Sequence, residues 1–280
     1  MAKGERPGAL GRLKIGWEFF GSELKRQRES AGLTQHQLGE RVFCSGSYIG
    51  QFEAGFRKPQ LDLAERIDVE LRTGGLLGRM CAALINSSPY ANYFAEAVYL
   101  ESLAVSIRQY APVFVPGILQ TRAYARAVFL AAQPLAPEEK IEELVVTRLE
   151  RGKLLNHPTT PLLWVVLDES VLRREVGGPA VMHEQLTYIA QLMRRRRILV
   201  QVLPLDTGAP PIGALLKLMT FEDMPPVAYE EGSKTGNLLD DPAVVDQCEL
   251  AYDLARAAAL SPERSLALIE SAAEEYGHEQ

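Results

Sequence analysis

The sequence predicts a two-domain protein, an all-α N-terminal domain of five helices followed by an α+β domain, and three observations carry that prediction. The 280 residues exceed an ordinary single domain, and 47% of them are apolar, enough material for two cores. Between residues 17 and 73, apolar positions recur at helical spacing and are interrupted by capping residues and glycines. Beyond residue 160 the period changes, and short apolar runs of strand length alternate with longer helical segments.

Residues 1–16, with four Gly, one Pro and scattered basic residues, read as a flexible arm. The first helix is expected from Trp17 to Ala31, with Phe20 and Leu24 inward. Gly32 can end it in the left-handed conformation, after which Thr34 caps a second helix and Gln37, three residues on, completes a capping box. Leu38 and Val42 share that helix's buried face, whereas Gln35, His36, Glu40 and Arg41 fall on its wetter side. Ser45 caps a third helix over 45–53, in which Ile49 and Phe52 point inward and Gly46, Ser47, Tyr48 and Gln51 point outward. Small polar outward residues suit a helix lying in a groove. Gly55 ends it, Arg57 and Lys58 follow where phosphates would lie, and Pro59 opens an amphipathic helix through Leu63 and Ile67. This spacing is that of a helix-turn-helix, and it makes double-stranded DNA the leading partner.

The stretch GLTQHQLGERVFCSGSYIGQFEAGFRKP resembles the repressor-type helix-turn-helix family of bacteria, the Xre or lambda-repressor-like family, over residues 20–70. The resemblance implies that Gln35 contacts phosphate and a base edge, and that Ser45, Gly46, Ser47 and Gln51 occupy base-reading positions. It also implies an ion pair between Arg28 and Glu53 that clamps the first and third helices. Two departures stand out. Phe43 replaces the usual turn glycine and disfavours positive φ, so an altered turn is expected; Gly46 leaves one reading side chain missing.

Charge is divided unevenly along the chain. The net charge is −6, yet residues 1–60 carry +4 and the remaining 220 carry −10. An acidic second domain weakens nonspecific attraction to phosphate, which argues for specificity drawn from paired half-sites and hence for a homodimer. There is no run of 18 uncharged apolar residues and no apolar signal region at the N-terminus, so no membrane partner is expected and a cytoplasmic location is. Cys44, Cys81 and Cys248 are odd in number and far apart, which fits reduced thiols. His36, His157, His183 and His278 show no zinc spacing, and neither metal nor cofactor is expected.

Residues 74–93, punctuated by Gly74, Gly75, Gly78 and Asn86-Ser87-Ser88-Pro89, read as a linker to a regulatory or interaction domain over 94–276. A helix is expected over 94–110, then a turn at Pro116-Gly117, helices over 121–132 and 138–155, and a β-α-β unit from strand 161–170, helix 182–195 and strand 198–205. Two more strands, ALLKLMTFED and PVAYEEG, and helices over 242–259 and 261–273 complete it. The strings LESLAVSIRQY, VPGILQTRAYARAV, RLERGKLL, LDESVLRREVGGPAVMHEQL, VQVLPL and ALSPERSL resemble the DUF5753 or Scr1-type antitoxin-like domain of bacterial regulators. That resemblance implies a transcriptional regulator, in some members an antitoxin-like partner of a small DUF397-type protein. Gly152 stands where the family commonly has glutamine.

Candidate chemistry in the second domain is sparse. Tyr110, Pro116, Gly117, Leu119, Gln120 and Tyr124 could line a ligand or partner groove, or form an ordinary turn and core. Asp168 and Glu169 end a strand, where they could act as catalysts or cap the next helix, with no partner base in sight. Arg194 to Arg197 could bind phosphate or simply occupy a helix C-terminus. EEGSKTG at 230–236 lacks the phosphate-loop frame and reads as a strand-to-loop turn. The sequence therefore points to a non-enzymatic, sequence-specific DNA-binding regulator controlled through its second domain. A small-molecule-sensing repressor is the alternative, and an enzyme carrying a DNA-binding module ranks behind both.

Overall fold

The computed structural model describes residues 9–86, 92–157, 159, 161–232 and 235–278, and the chain divides into two compact units, Met1–Ser102 and Leu103–Gln280. In the first unit, α1 (Ala9–Ser30) buries Trp17, Phe20, Leu24 and Arg28, which lie three or four residues apart and so share one face. Trp17 and Phe20 meet edge to face with ring centroids 5.5 Å apart. The helix begins earlier than Trp17, so residues 9–16 are not a loose arm, while residues 1–8 lie outside the described residues.

Helices α2 (Gln35–Arg41) and α3 (Gly46–Glu53) follow, the first held by the expected capping box. Gln37 N–H donates to Thr34 Oγ1 at 3.1 Å, and Thr34 N–H donates to Gln37 Oε1 at 2.9 Å. Leu38, Val42, Ile49 and Phe52 complete the small core with α4 (Leu61–Leu71), through Ala64 and Ile67.

The expected linker at 74–93 is corrected by a helix, α5 (Leu76–Asn86), while residues 87–91 lie outside the described residues. The carboxylate of buried Asp68 explains its start. Asp68 accepts from the Leu77 and Gly78 N–H groups at 2.9 and 2.6 Å and from the Thr73 hydroxyl, satisfying donors that a helix N-terminus leaves orphaned. Gly74, Gly75 and Gly78 thus punctuate a tight α4-to-α5 connection. The last helix of this unit, α6 (Asn92–Leu103), leads after two residues into the first strand of the second unit.

The second unit is built on a six-stranded mixed sheet in the order β3-β2-β1-β4-β5-β6. Its strands are β1 (Ser106–Ala111), β2 (Leu162–Asp168), β3 (Ile198–Leu203), β4 (Leu215–Thr220), β5 (Val227–Glu231) and β6 (Gly236–Leu239). The first three are parallel, with Tyr110 beside Val166 and Val165 beside Val200, and the rest run antiparallel, with Gln109 beside Lys217. Between β1 and β2 come α7 (Arg122–Ala132) and α8 (Glu138–Gly152); α9 (Ser170–Arg173) and α10 (Pro179–Arg194) connect β2 to β3; α11 (Pro242–Ala258) and α12 (Pro262–His278) end the chain. One sheet face packs Tyr110, Val166, Leu216, Leu218 and Ala228 against Val245, Tyr252 and Ala255 of α11. The helix expected over 94–110 is corrected to a helix ending at Leu103 and a central strand. β6 was not anticipated either.

Candidate DNA interface

The turn between α2 and α3 keeps left-handed geometry in spite of its side chain. Phe43 has φ 61, so the altered turn expected from its bulk is corrected: the chain accepts the strain, and the ring stands 88% exposed. Cys44 N–H then donates to Gly39 O at 2.9 Å, and Ser45 caps α3 by accepting from Tyr48 N–H at 3.2 Å.

One buried carboxylate organises the motif. Glu53, at the last turn of α3, accepts from Arg28 Nε at 2.5 Å and Nη2 at 2.9 Å, a two-pronged pair that fixes α3 against α1. The remaining Arg28 nitrogen, Nη1, donates to Leu33 O at 2.7 Å, tying in the loop before α2. Glu53 Oε2 also accepts from Gln35 Nε2 at 2.8 Å, which holds the exposed first side chain of α2 in one orientation. The Glu53 contact raises the Arg28 pKa further above its ordinary value, against the opposing effect of burial.

The outward face of α3 is narrower than the sequence suggests. Ser45 and Ser47 are exposed and Gln51 is half-buried. Gly46 faces α2: a Cβ there would lie 2.8 Å from His36 Cα and 2.9 Å from His36 N. Its lack of a side chain is required by this close approach, so the position does not await a reading group. Tyr48 packs edge to face on Phe52, with centroids 5.8 Å apart.

The basic loop after α3 is also corrected. Arg57 and Lys58 do not stand at a phosphate-facing mouth; both are taken up by α6. Arg57, 9% exposed, lies over the Tyr48 ring at 5.1 Å and pairs with Glu96 at 2.9 Å. Lys58 Nζ donates to Ala95 O at 3.0 Å and sits over the rings of Tyr99 and Trp17, at 4.7 and 5.6 Å. Burial pushes its amine down to about 8, with Glu96 opposing. The Tyr99 hydroxyl donates to Gly55 O, directly behind the end of α3. Glu96 and Tyr99 escaped sequence reasoning because nothing local couples them to residues some 40 positions earlier.

In the second unit the expected groove is closed. Tyr110, Leu119 and Tyr124 are fully buried, and Pro116 is buried with them. Gln120 donates to Val115 O at 2.8 Å and accepts from Arg148 at 2.7 Å, Tyr124 accepts from Val115 N–H at 3.3 Å, and a Cβ on Gly117 would meet Arg148 and Arg151. The polar handles are spent inside the fold, so the turn-and-core reading replaces the groove. Asp168 accepts from Ser170 N–H at 2.9 Å, while Glu169 engages Leu205 N–H and Arg173, both at 3.2 Å. Both carboxylates thus serve local structure. Arg197 donates to the carbonyls of Leu154, Leu155 and Pro161, and Arg194 pairs with Glu270 at 2.7 Å, leaving Arg195 and Arg196 exposed. Among the described residues no group of three or more His, Cys, Asp or Glu could hold a metal ion, and no helix is long and apolar enough to cross a membrane.

A capped pair of short helices joined by a tight turn, with small polar residues on the second, defines a helix-turn-helix protein, and residues 20–77 match the family model described as a helix-turn-helix domain. Residues 94–271 match the model of a domain of unknown function, DUF5753, and the chain belongs to that family. Two Mycobacterium tuberculosis proteins, from strains CDC 1551 / Oshkosh and ATCC 25618 / H37Rv, are each described as an uncharacterized HTH-type transcriptional regulator and are each 35% identical over 68 residues. The match covers 24% of this chain, and the chain spans about half the length (49%) of these curated relatives. No solved structure matches.

Proposed function

We propose that the protein is a sequence-specific DNA-binding transcriptional regulator rather than an enzyme, with α3 entering the major groove. Ser47 and Gln51 address base edges, while Gln35 and the N-termini of α2 and α3 meet the backbone. The observation that carries this reading is the Glu53 hub, which holds three elements of the motif together and orients Gln35 from the same carboxylate. With Gly46 packed inward and Arg57 and Lys58 engaged by α6, a single copy offers little reading surface. We infer that two copies bind paired half-sites, and that the C-terminal unit supplies dimerisation or takes a small protein partner of the antitoxin-like kind. The closed packing around Gln120 and Tyr124 removes the motive for a small-molecule groove at that position.

The test is selection of a preferred duplex, followed by anisotropy titration of the wild type and Gln51→Ala. Loss of the amide is expected to cost about 1–3 kcal/mol and to relax preference at one base pair. Full affinity with unchanged site preference would reject the assignment of Gln51.

A further inference from the structure

Helix α6 falls within the DUF5753 match from residue 94 onward, yet all of it but Leu103 belongs to the same compact unit as the helix-turn-helix. Three of its contacts are Glu96 with Arg57, the Ala95 carbonyl with Lys58, and the Tyr99 hydroxyl with Gly55 O. All three fall on residues 55–58, immediately after α3. The Arg57 guanidinium rests on Tyr48, a residue of α3 between Ser45 and Gln51, so it is held at the edge of the reading helix. A carboxylate oxygen 2.9 Å from the guanidinium Nε pairs with its charge as a phosphate oxygen would.

Resting on the DNA-binding reading above, we propose that Glu96 is an internal stand-in for a DNA phosphate, and that α6 is a latch withholding Arg57 and Lys58 from the duplex until it shifts. The latched protein binds with Gln35 and the α3 face alone. The unlatched protein adds two backbone contacts on the flank of the same helix. Because α6 runs within two residues into β1, the central strand that pairs with both β2 and β4, an event in the second unit that displaces α6 changes affinity for DNA without touching the reading residues.

The test is a salt series of anisotropy titrations of the full chain on its selected duplex, using wild type, Glu96→Gln, Tyr99→Phe and the double variant Glu96→Gln/Arg57→Ala. Glu96→Gln is expected to bind about three- to tenfold tighter near 0.1 M salt, with log K against log salt steeper by about 0.9 per phosphate gained. Tyr99→Phe keeps its ring near Lys58, loses only the hydroxyl, and is expected to move in the same direction. Arg57→Ala is expected to cancel the gain. Equal affinities and equal slopes for wild type, Glu96→Gln and Tyr99→Phe, at unchanged melting temperatures, would overturn the latch. Failure of the wild type to select any duplex would instead overturn the DNA-binding reading itself.

Discussion

Replacing Phe43 with glycine should stabilise the protein, against the usual expectation that removing an aromatic side chain weakens a fold. Phe43 sits at φ 61 with its ring 88% exposed, so little buried area is lost. A left-handed backbone costs a non-glycine residue about 1–2 kcal/mol. Glycine recovers that strain but loses roughly 0.5–1 kcal/mol through the greater freedom of its unfolded chain. The net expectation is a gain of about 0.5–1 kcal/mol, which for a helical unit of this size raises its melting temperature by about 3–6 °C. Phe43→Ala is the control, because it removes the ring and keeps the Cβ that causes the strain. Thermal unfolding followed by circular dichroism and calorimetry, resolving the transitions of the two units, measures all three proteins. If Phe43→Gly melts no higher than Phe43→Ala, the turn is not strained in the way its φ implies and the argument fails.

Other consequences can be checked together. Glu53→Ala leaves the Arg28 guanidinium buried without its main partner, so chemical denaturation should show a loss of about 3 kcal/mol, and the orientation of Gln35 should be lost with it. Gly46→Ala drives a Cβ into the α2 backbone, and a loss of about 1–2 kcal/mol is expected; a neutral result would show that the two helices can separate at little cost. Lys58, with its amine lowered to about 8 from 10.5, binds fewer protons in the folded state between those values. Its contribution to stability should therefore rise as pH increases through that window, by an amount on the order of 3 kcal/mol at most, and this part of the pH dependence should vanish in Lys58→Met.

The parts of the fold legible in the sequence were those written locally. Thr34 with Gln37, Ser45 before Ile49, and Gly32 and Gly55 at positive φ are each decided within four residues, so α2 and α3 could be placed by their caps. Strand β1 was missed because Arg108 and Gln109 interrupt its apolar pattern. Arg108 is compensated by Glu249, 141 residues away, and no local rule could supply that partner. The same non-locality misplaced Arg57 and Lys58, since charges default to the surface and the groups that draw these two inward arrive with α6. Gln120 and Tyr124 looked like ligand handles for the complementary reason, that their satisfied hydrogen bonds are invisible until the chain has folded.

With α3 as the proposed reading helix, the close approach at Gly46 limits how the preferred DNA sequence can be changed. In a library randomised over 46, 47 and 51, survivors should retain glycine at 46 almost without exception, since every other residue brings a Cβ to within 2.8 Å of the neighbouring backbone. Variation would be confined to positions 47 and 51, one exposed and one half-buried, two reading positions per copy. On the proposed pairing of two copies, new specificities would then arise by altering the spacing and orientation of half-sites more readily than by rewriting either one.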